Sequence, residues 1–344
     1  MDLDPTDEQQ SIVDVFGDLA ESTVPLDRLR DHEPLGFAPE LWARLVAVGA
    51  PGMAVPETAG GAGAGLLDLA LAVEALGRRL APAPLVEHAV AARLLAQVDA
   101  LTPEVLDGAS VATLALRRAR DQFARLVPAG AVATTVVAYD GLQLVVLDGE
   151  PGVHVANLAS APLADRGLDG ARVVASGALA TSLYRQAVDE WRVLTASALV
   201  GLGLGALEIG LRYVSEREQF GVPIGSFQAL QHTLADVSVA LDGAQLLARK
   251  AAWAHDTVDD RAPDRASELG AMAFLFAAEQ AQRASDRALH FHGGYGFMEE
   301  YDIQLFYRRA KGWANVLDDP AREYTRLADL RYGPVTATAS PGGG

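Results

Sequence analysis

Apolar residues recur along this chain with a helical period, then with a strand period, then with a helical period again. Up to about residue 110 the spacing is helical. In PTDEQQSIVDVFGDLAEST the side chains of Ile12, Val13, Phe16 and Leu19 share one face, with Thr6 or Asp7 at the N-cap. PELWARLVAVGAPG predicts a short amphipathic helix closed by glycine, and the loop VPETAGGAGAG leads into a second helix predicted from Leu66 to Leu80. Over 111–180 the runs VATLAL, VATTVVAYDGLQLVVLD and GVHVA are short, rich in β-branched residues and divided by Asp, Gly and Pro, which predicts a small β domain. Helical spacing returns over 181–335, punctuated by Pro223, Pro263 and the glycines around Gly293. Residues 336–344 (TATASPGGG) have the composition of a disordered tail. The expected class is mainly α with a small β domain.

Two local patterns have a plain reading. The glycines between Gly60 and Gly65 are not followed by the Gly-Lys-Ser/Thr of a phosphate cradle, so they predict a loop ahead of a helix. The apolar run from Val193 to Leu207 stops at Glu208, short of the ~20 residues of a membrane span, and predicts a helix buried on most sides.

Charge and composition remove several function classes. Acidic residues outnumber Lys and Arg by 45 to 28, for a net charge of −17, so no basic face is expected for nucleic acid and any anionic ligand must meet local arginines. With no cysteine, disulfide scaffolds, thiolate metal sites and cysteine nucleophiles are excluded. His290 and His292 lack metal partners at helical spacing, so no metal site is expected. The N-terminal MDLDPTDEQQ carries acids where a secretory leader carries a basic segment and an apolar core, which predicts a cytoplasmic protein with no membrane partner.

Two segments of the last third carry the chemistry: RYVSEREQFGVPIGSFQALQHTLADV and, after about two helices, HFHGGYGFMEEYDIQLFYRRAK. Arg217, Glu218, Gln219, Phe220 and Gly221 stand at a helix end, where Arg and Gly also serve as an ordinary dipole partner and cap. Phe227 has the spacing of a core residue, and Gln228 that of a first-turn polar residue. Together the two segments resemble the C-terminal domain of the acyl-CoA dehydrogenase family, and ELWARLVAVGAPGMAVPETAGGAGAGLLDL resembles its first domain. The resemblance implies an N-terminal helical domain (1–110), a reduced β-barrel middle domain (111–180) and a C-terminal four-helix bundle (181–335) that supplies oligomer contacts. It also implies that Arg217 pairs with the pyrophosphate of an FAD in a neighbouring subunit, beside Gln219, Phe220 and Gly221. Phe227 and Gln228 then meet the flavin side, while His290, Gly293 and Gly294 form the turn that receives the adenosine. A guanidinium fork suits phosphate oxygens, and bare glycine backbone admits a close ligand. His290 stands where the family usually has Gln.

The departures matter as much. The family's base, a glutamate that takes the α-proton of an acyl-CoA while hydride leaves Cβ, falls on Leu317 of GWANVLDDP, and an alternative position used by some members falls on Trp191, just before Arg192. Glu190 and Asp318 lie one residue away, but one residue on a helix turns a side chain by about 100°. The Thr-Glu-Pro type loop and the Trp-Ile-Thr/Ser type strand that grip the flavin ring are missing between His88 and Ala180. The pattern is similar to that of the non-catalytic partner in heterotetrameric acyl-CoA dehydrogenases of steroid side-chain degradation. It implies FAD shared with a second, glutamate-bearing chain, an acyl-CoA substrate in the complex, and electron-transfer flavoprotein as acceptor. A homo-oligomeric enzyme using Glu190 or Asp318, and a flavin-free scaffold, remain alternatives at this stage.

Overall fold

A computed structural model describes residues 3–257 and 265–333; Pro263 and the 336–344 tail lie outside them. Five helices come first: α1 (Asp7–Thr23), α2 (Pro39–Ala47), α3 (Leu66–Arg78), α4 (Leu85–Gln97) and the single turn α5 (Pro103–Leu106). The N-cap of α1 is Thr6. Its hydroxyl accepts the Gln9 N–H at 3.2 Å, while the Gln9 carboxamide accepts the Thr6 N–H at 3.1 Å, so two orphan donors are satisfied reciprocally. Phe16 and Leu19 are buried on the face that the spacing assigned to them. The glycine-rich segment is a loop, and the N-terminus of α3 is closed by protein: Asp256 accepts the N–H groups of Leu66 and Leu67 at 2.7 and 3.0 Å.

The middle region holds six short strands. β1 (Ala112–Leu114), β3 (Thr135–Tyr139), β4 (Gln143–Asp148) and β6 (Arg172–Ser176) form a sheet in the order β1-β3-β4-β6, and β2 (Phe123–Val127) pairs separately with β5 (Ala164–Gly167). β1 and β3 are parallel, and β3, β4 and β6 run antiparallel, with Tyr139 opposite Leu144 across the Asp140–Gly141 turn. Asp140 fixes that turn by accepting the N–H groups of Leu142 and Gln143 at 2.8 and 2.7 Å. GVHVA, expected as a strand, forms only an isolated bridge from His154 to Ala164. Val153 there is 88% exposed, so the run's apolar residues bury nothing that would hold it in the sheet.

The remainder is helical: α6 (Gly177–Glu216), α7 (Gln228–Asp256), α8 (Arg265–Phe291), α9 (Ile303–Ala314) and α10 (Pro320–Tyr332), with the ribbon β7 (Glu218–Gln219) and β8 (Val222–Pro223) between α6 and α7. α6, α7 and α8 pack side by side, and α9 lies on α6 and α8. The Val193–Leu207 run belongs to α6, whose full 40 residues are long and apolar enough to cross a membrane by length and composition. Instead, 78% of its most apolar window is buried among α3, α7 and α8. A helix apolar all round needs such neighbours. The α3–α6 contact depends on glycine: a Cβ at Gly201 would stand 2.0 Å from the Glu74 carbonyl oxygen, and one at Gly205 2.4 Å from that of Arg78. Glu33 ties the first region to α9 through ion pairs with Arg308 and Arg309, and Arg30 meets Asp302 at 2.6 Å.

Candidate functional site

α6 ends at Glu216, and the chain reverses at once through the β7–β8 ribbon. The turn residues Phe220 (φ 56°) and Gly221 (φ 79°) both lie in the left-handed region that a tight two-residue hairpin needs. Glycine takes this conformation freely and phenylalanine does not, yet Phe220 is 93% exposed and repays the strain with little packing beyond an edge contact to the Phe227 ring at 6.2 Å. Arg217 precedes the ribbon; its carbonyl accepts the Ile224 N–H at 2.8 Å, and its guanidinium has no carboxylate partner among the described residues. Gln219 donates its side-chain amide to the Glu218 carbonyl at 2.7 Å. Phe227 caps α7 and is exposed rather than core, and Gln228 opens the helix, also exposed.

The second motif arrives beside the first because α7 reverses α6 and α8 reverses α7, so α6 and α8 finish at the same end. Tyr213 of α6 stacks on His292 with ring centroids 3.9 Å apart, which locks the two segments together. His292 is buried and donates Nδ1–H to the Ala288 carbonyl at 2.7 Å; burial holds its pKa below the ordinary histidine range, so it is a neutral structural residue. His290 is exposed at the end of α8, and Gly293 (φ 60°) and Gly294 follow in a short 3-10 turn. A Cβ at Gly221, Gly293 or Gly294 would meet no atom within 4 Å, so the backbone faces open space at all three. All nine candidate cofactor residues thus occupy one end of the bundle. A free guanidinium, a neutral amide, exposed aromatic rings and bare glycine backbone suit a pyrophosphate and an adenosine, so the donor set fits the ADP half of FAD.

The base candidates lie elsewhere. Glu190, 2% exposed, accepts two hydrogen bonds from Arg93, at 2.9 Å from Nε and 3.2 Å from Nη2, and a third from Gln186 at 3.1 Å. Its neighbour Trp191 is buried. Arg192 pairs with Glu323 through two bonds, at 2.8 and 3.2 Å, and with Asp189 at 2.7 Å; Arg326 closes the same network. Leu317 is 5% exposed and offers only its carbonyl, which accepts from Arg117 at 3.0 Å. Asp318 is half exposed and paired with Arg322 at 3.0 Å; the Asp319 N–H and Arg322 hold its carboxyl below the usual range. A carboxylate held ionised in this way is a weak proton acceptor.

Glu190 and Arg217 stand 27 positions apart on one continuous helix, ~40 Å at 1.5 Å per residue. One dinucleotide cannot touch both. The cavity between α3, α4, residues 128–129, 160–162 and α9 measures about 110 Å³, below the ~300–1,000 Å³ of small-molecule pockets. A much larger cleft of about 1500 Å³ opens at the base-candidate end, beside Leu317, Asp318 and Arg192. Its wall includes arginines that the sequence reading passed over, although RRAR at 117–120 stands out as a basic run in an acidic chain. Arg93, the partner of Glu190, left no such signal, because 97 residues separate the two.

Two family descriptions match this chain: acyl-CoA dehydrogenase, N-terminal domain, over residues 6–100, and acyl-CoA dehydrogenase, C-terminal domain, over residues 181–314. The acyl-CoA dehydrogenase IpdE2 of Mycolicibacterium smegmatis is 32% identical over 85% of this chain and 88% of its own length. Among solved structures, a variant of the Tcur3481-Tcur3483 steroid acyl-CoA dehydrogenase superposes with a TM-score of 0.82 at 29% identity, covering 94% of this chain and 97% of that one. The ChsE4-ChsE5 complex of Mycobacterium tuberculosis has the same fold, with a TM-score of 0.84 at 24% identity over 97% of this chain and 100% of that one.

Proposed function

The chain belongs to the acyl-CoA dehydrogenase family, and from that premise we propose that it is a subunit without a catalytic base, which completes the FAD site of a second chain that carries the glutamate. The observation that supports this reading is the ~40 Å between the two halves of the family's machinery on α6. At one end the candidate ADP-binding residues are exposed, and the Arg217 guanidinium has no carboxylate partner among the described residues. At the other the base position is Leu317, and the nearest acids are consumed by Arg93 and Arg322. FAD, when bound, supplies the acceptor for the hydride leaving Cβ of an acyl-CoA.

This chain's own contribution is positional. Arg217 offers a planar fork of donors to a pyrophosphate, Gln219 a neutral hydrogen bond, and Gly293 and Gly294 a surface without side chains on which the adenosine lies. Phe220, Phe227 and Gln228 border the same patch, and His290 takes the place usually held by Gln. The substrate class is an acyl-CoA, and the steroid-type relative favours a steroid side-chain thioester. The complex is an α,β-dehydrogenase assembled as a heterotetramer in the cytoplasm, with electron-transfer flavoprotein as the electron acceptor.

Flavin absorbance tests the assignment. The chain expressed alone should be colourless, and co-expressed with a glutamate-bearing dehydrogenase chain it should co-purify with that chain and with flavin. A yellow preparation of the single chain would point instead to a homo-oligomeric enzyme, and a colourless co-purified complex to a scaffold.

A further inference from the structure

We propose that Arg30, in the N-terminal region, is a positioning residue for the glycine turn Gly293–Gly294 of the C-terminal one. The inference rests on the reading that this turn receives the adenosine of FAD. A Cβ at either glycine would meet no atom within 4 Å, so the turn has no side-chain anchor of its own and takes its place from the residues around it. His292, just before the turn, is held from the α6 side by the Tyr213 ring. Tyr301 holds the other side: its ring meets His292 edge-on at 5.9 Å and lies 5.6 Å from that of Tyr295, centroid to centroid. The Tyr301 N–H donates to the Met298 carbonyl at 3.1 Å, and the Met298 N–H to the Tyr295 carbonyl at 3.0 Å. A group that fixes Tyr301 therefore fixes the turn.

Arg30 grips the chain on both sides of Tyr301. It stands in the 3-10 segment Leu26–His32. Its Nε donates to the Glu299 carbonyl at 2.8 Å and its Nη1 to the Asp302 carboxylate at 2.6 Å, so one planar guanidinium spans residues 299–302. Asp302 is the N-cap of α9, yet its side chain makes no cap hydrogen bond. The usual use of an N-cap carboxylate, to accept the N–H groups of the first turn, is given up for the contact with Arg30. Glu33, which closes the same 3-10 segment, pairs with Arg308 and Arg309 of α9, so Arg30 reaches out from a firmly docked support. A lysine in its place would be a single point charge, unable to hold both acceptors in one fixed geometry. Arg30 thus acts through Tyr301 on His292 and Tyr295, and through them on the backbone between them.

The test uses the complex with a glutamate-bearing dehydrogenase chain, loaded with FAD, and follows flavin fluorescence on dilution at a temperature well below unfolding. Release should be roughly three- to tenfold faster in Arg30→Ala and in Asp302→Asn. The double variant should be no faster than the faster single one, because both remove the same contact. Arg30→Lys, which keeps the charge but not the fork, should fall between Arg30→Ala and wild type. The visible spectrum of the flavin that stays bound should be unchanged, since the turn serves the adenosine and not the ring. Arg217→Ala separates this inference from the reading beneath it. Faster release there, with wild-type release in Arg30→Ala, overturns the role of Arg30 and leaves the shared site standing; wild-type release in both removes the shared site as well. Single effects that multiply in the double variant, or a shifted flavin spectrum, also overturn it, because each marks a general loosening rather than one contact acting on the turn. If Arg30→Ala fails to assemble, Arg30→Lys and Asp302→Asn decide the question by the same readouts.

Discussion

The two ends of α6 treat charge in opposite ways. Around Glu190 and Arg192 the acids Glu190, Asp189 and Glu323 are each matched to a guanidinium inside the protein: Arg93 to Glu190, and Arg192 and Arg326 to Asp189 and Glu323. Around Arg217 the glycine backbone faces open space, the Phe220 ring is exposed with an edge contact to Phe227, and the guanidinium has no carboxylate partner among the described residues. Buried charges left unpaired cost several kcal/mol, so the first end shows groups that hold the fold together. An exposed aromatic on a strained backbone, as at Phe220, adds little to stability, and the proposed reading assigns this second end to a ligand and a partner surface. A carboxylate at the right place in the sequence therefore says little about catalysis until its partner is known.

The largest effect expected separates the ends by stability. Arg93→Ala leaves Glu190 buried with only Gln186 beside it, and should cost ~3–5 kcal/mol in denaturant unfolding. Arg217→Ala should change the same measurement by less than ~0.5 kcal/mol. Equal effects would dissolve the contrast between the two ends.

The next effect belongs to the interior alone. Burial holds the His88 imidazole down to about 4, while its Nδ1 accepts the Ala112 N–H at 3.1 Å. An unfolded histidine titrates near 6.5, so between about pH 6.5 and pH 4 the unfolded chain takes up a proton that the folded chain refuses. Stability should therefore fall as the pH drops through that window, by up to ~3 kcal/mol, on the scale of 1.36 kcal/mol per unit. Unfolding midpoints measured across the window should show this slope, and His88→Gln should flatten it.

Cofactor retention gives the smallest effect and the most specific one. Removing the charge-assisted contact in Arg217→Ala should weaken FAD binding by the complex by ~1.5–3 kcal/mol, roughly ten- to a hundredfold. Loss of flavin on gel filtration and dilution is the readout. Retention equal to wild type would remove Arg217 from the site.

Much of this was readable before the structure. Element order followed from hydrophobic period, and the pair of segments around Arg217 and Gly293 carried the family resemblance by themselves. Thr6 was open against Asp7 as a cap, and the reciprocal bonds with Gln9 decide for Thr6. The sequence could not place the two segments together, because that depends on α6 and α8 finishing at one end and on the Tyr213–His292 stack. Nor could it tell that Glu190 is engaged, since pairing with Arg93 is a long-range contact with no local pattern. The short strands β2, β5 and β6 escaped for a related reason: each is only four or five residues long, and only the fold supplies their neighbours.

The central claim is that proton abstraction belongs to the partner and the FAD site to both chains. Acyl-CoA-dependent electron transfer by the assembled complex tests it with two variants, Glu190→Gln in this chain and glutamate to glutamine at the partner's base. A positioned base contributes on the order of 10²- to 10⁴-fold. The account predicts that Glu190→Gln alters the rate by little at unchanged flavin content, while the partner variant loses at least a hundredfold. A complex silenced by Glu190→Gln with flavin and assembly intact, or fully active with the partner's base removed, would contradict it.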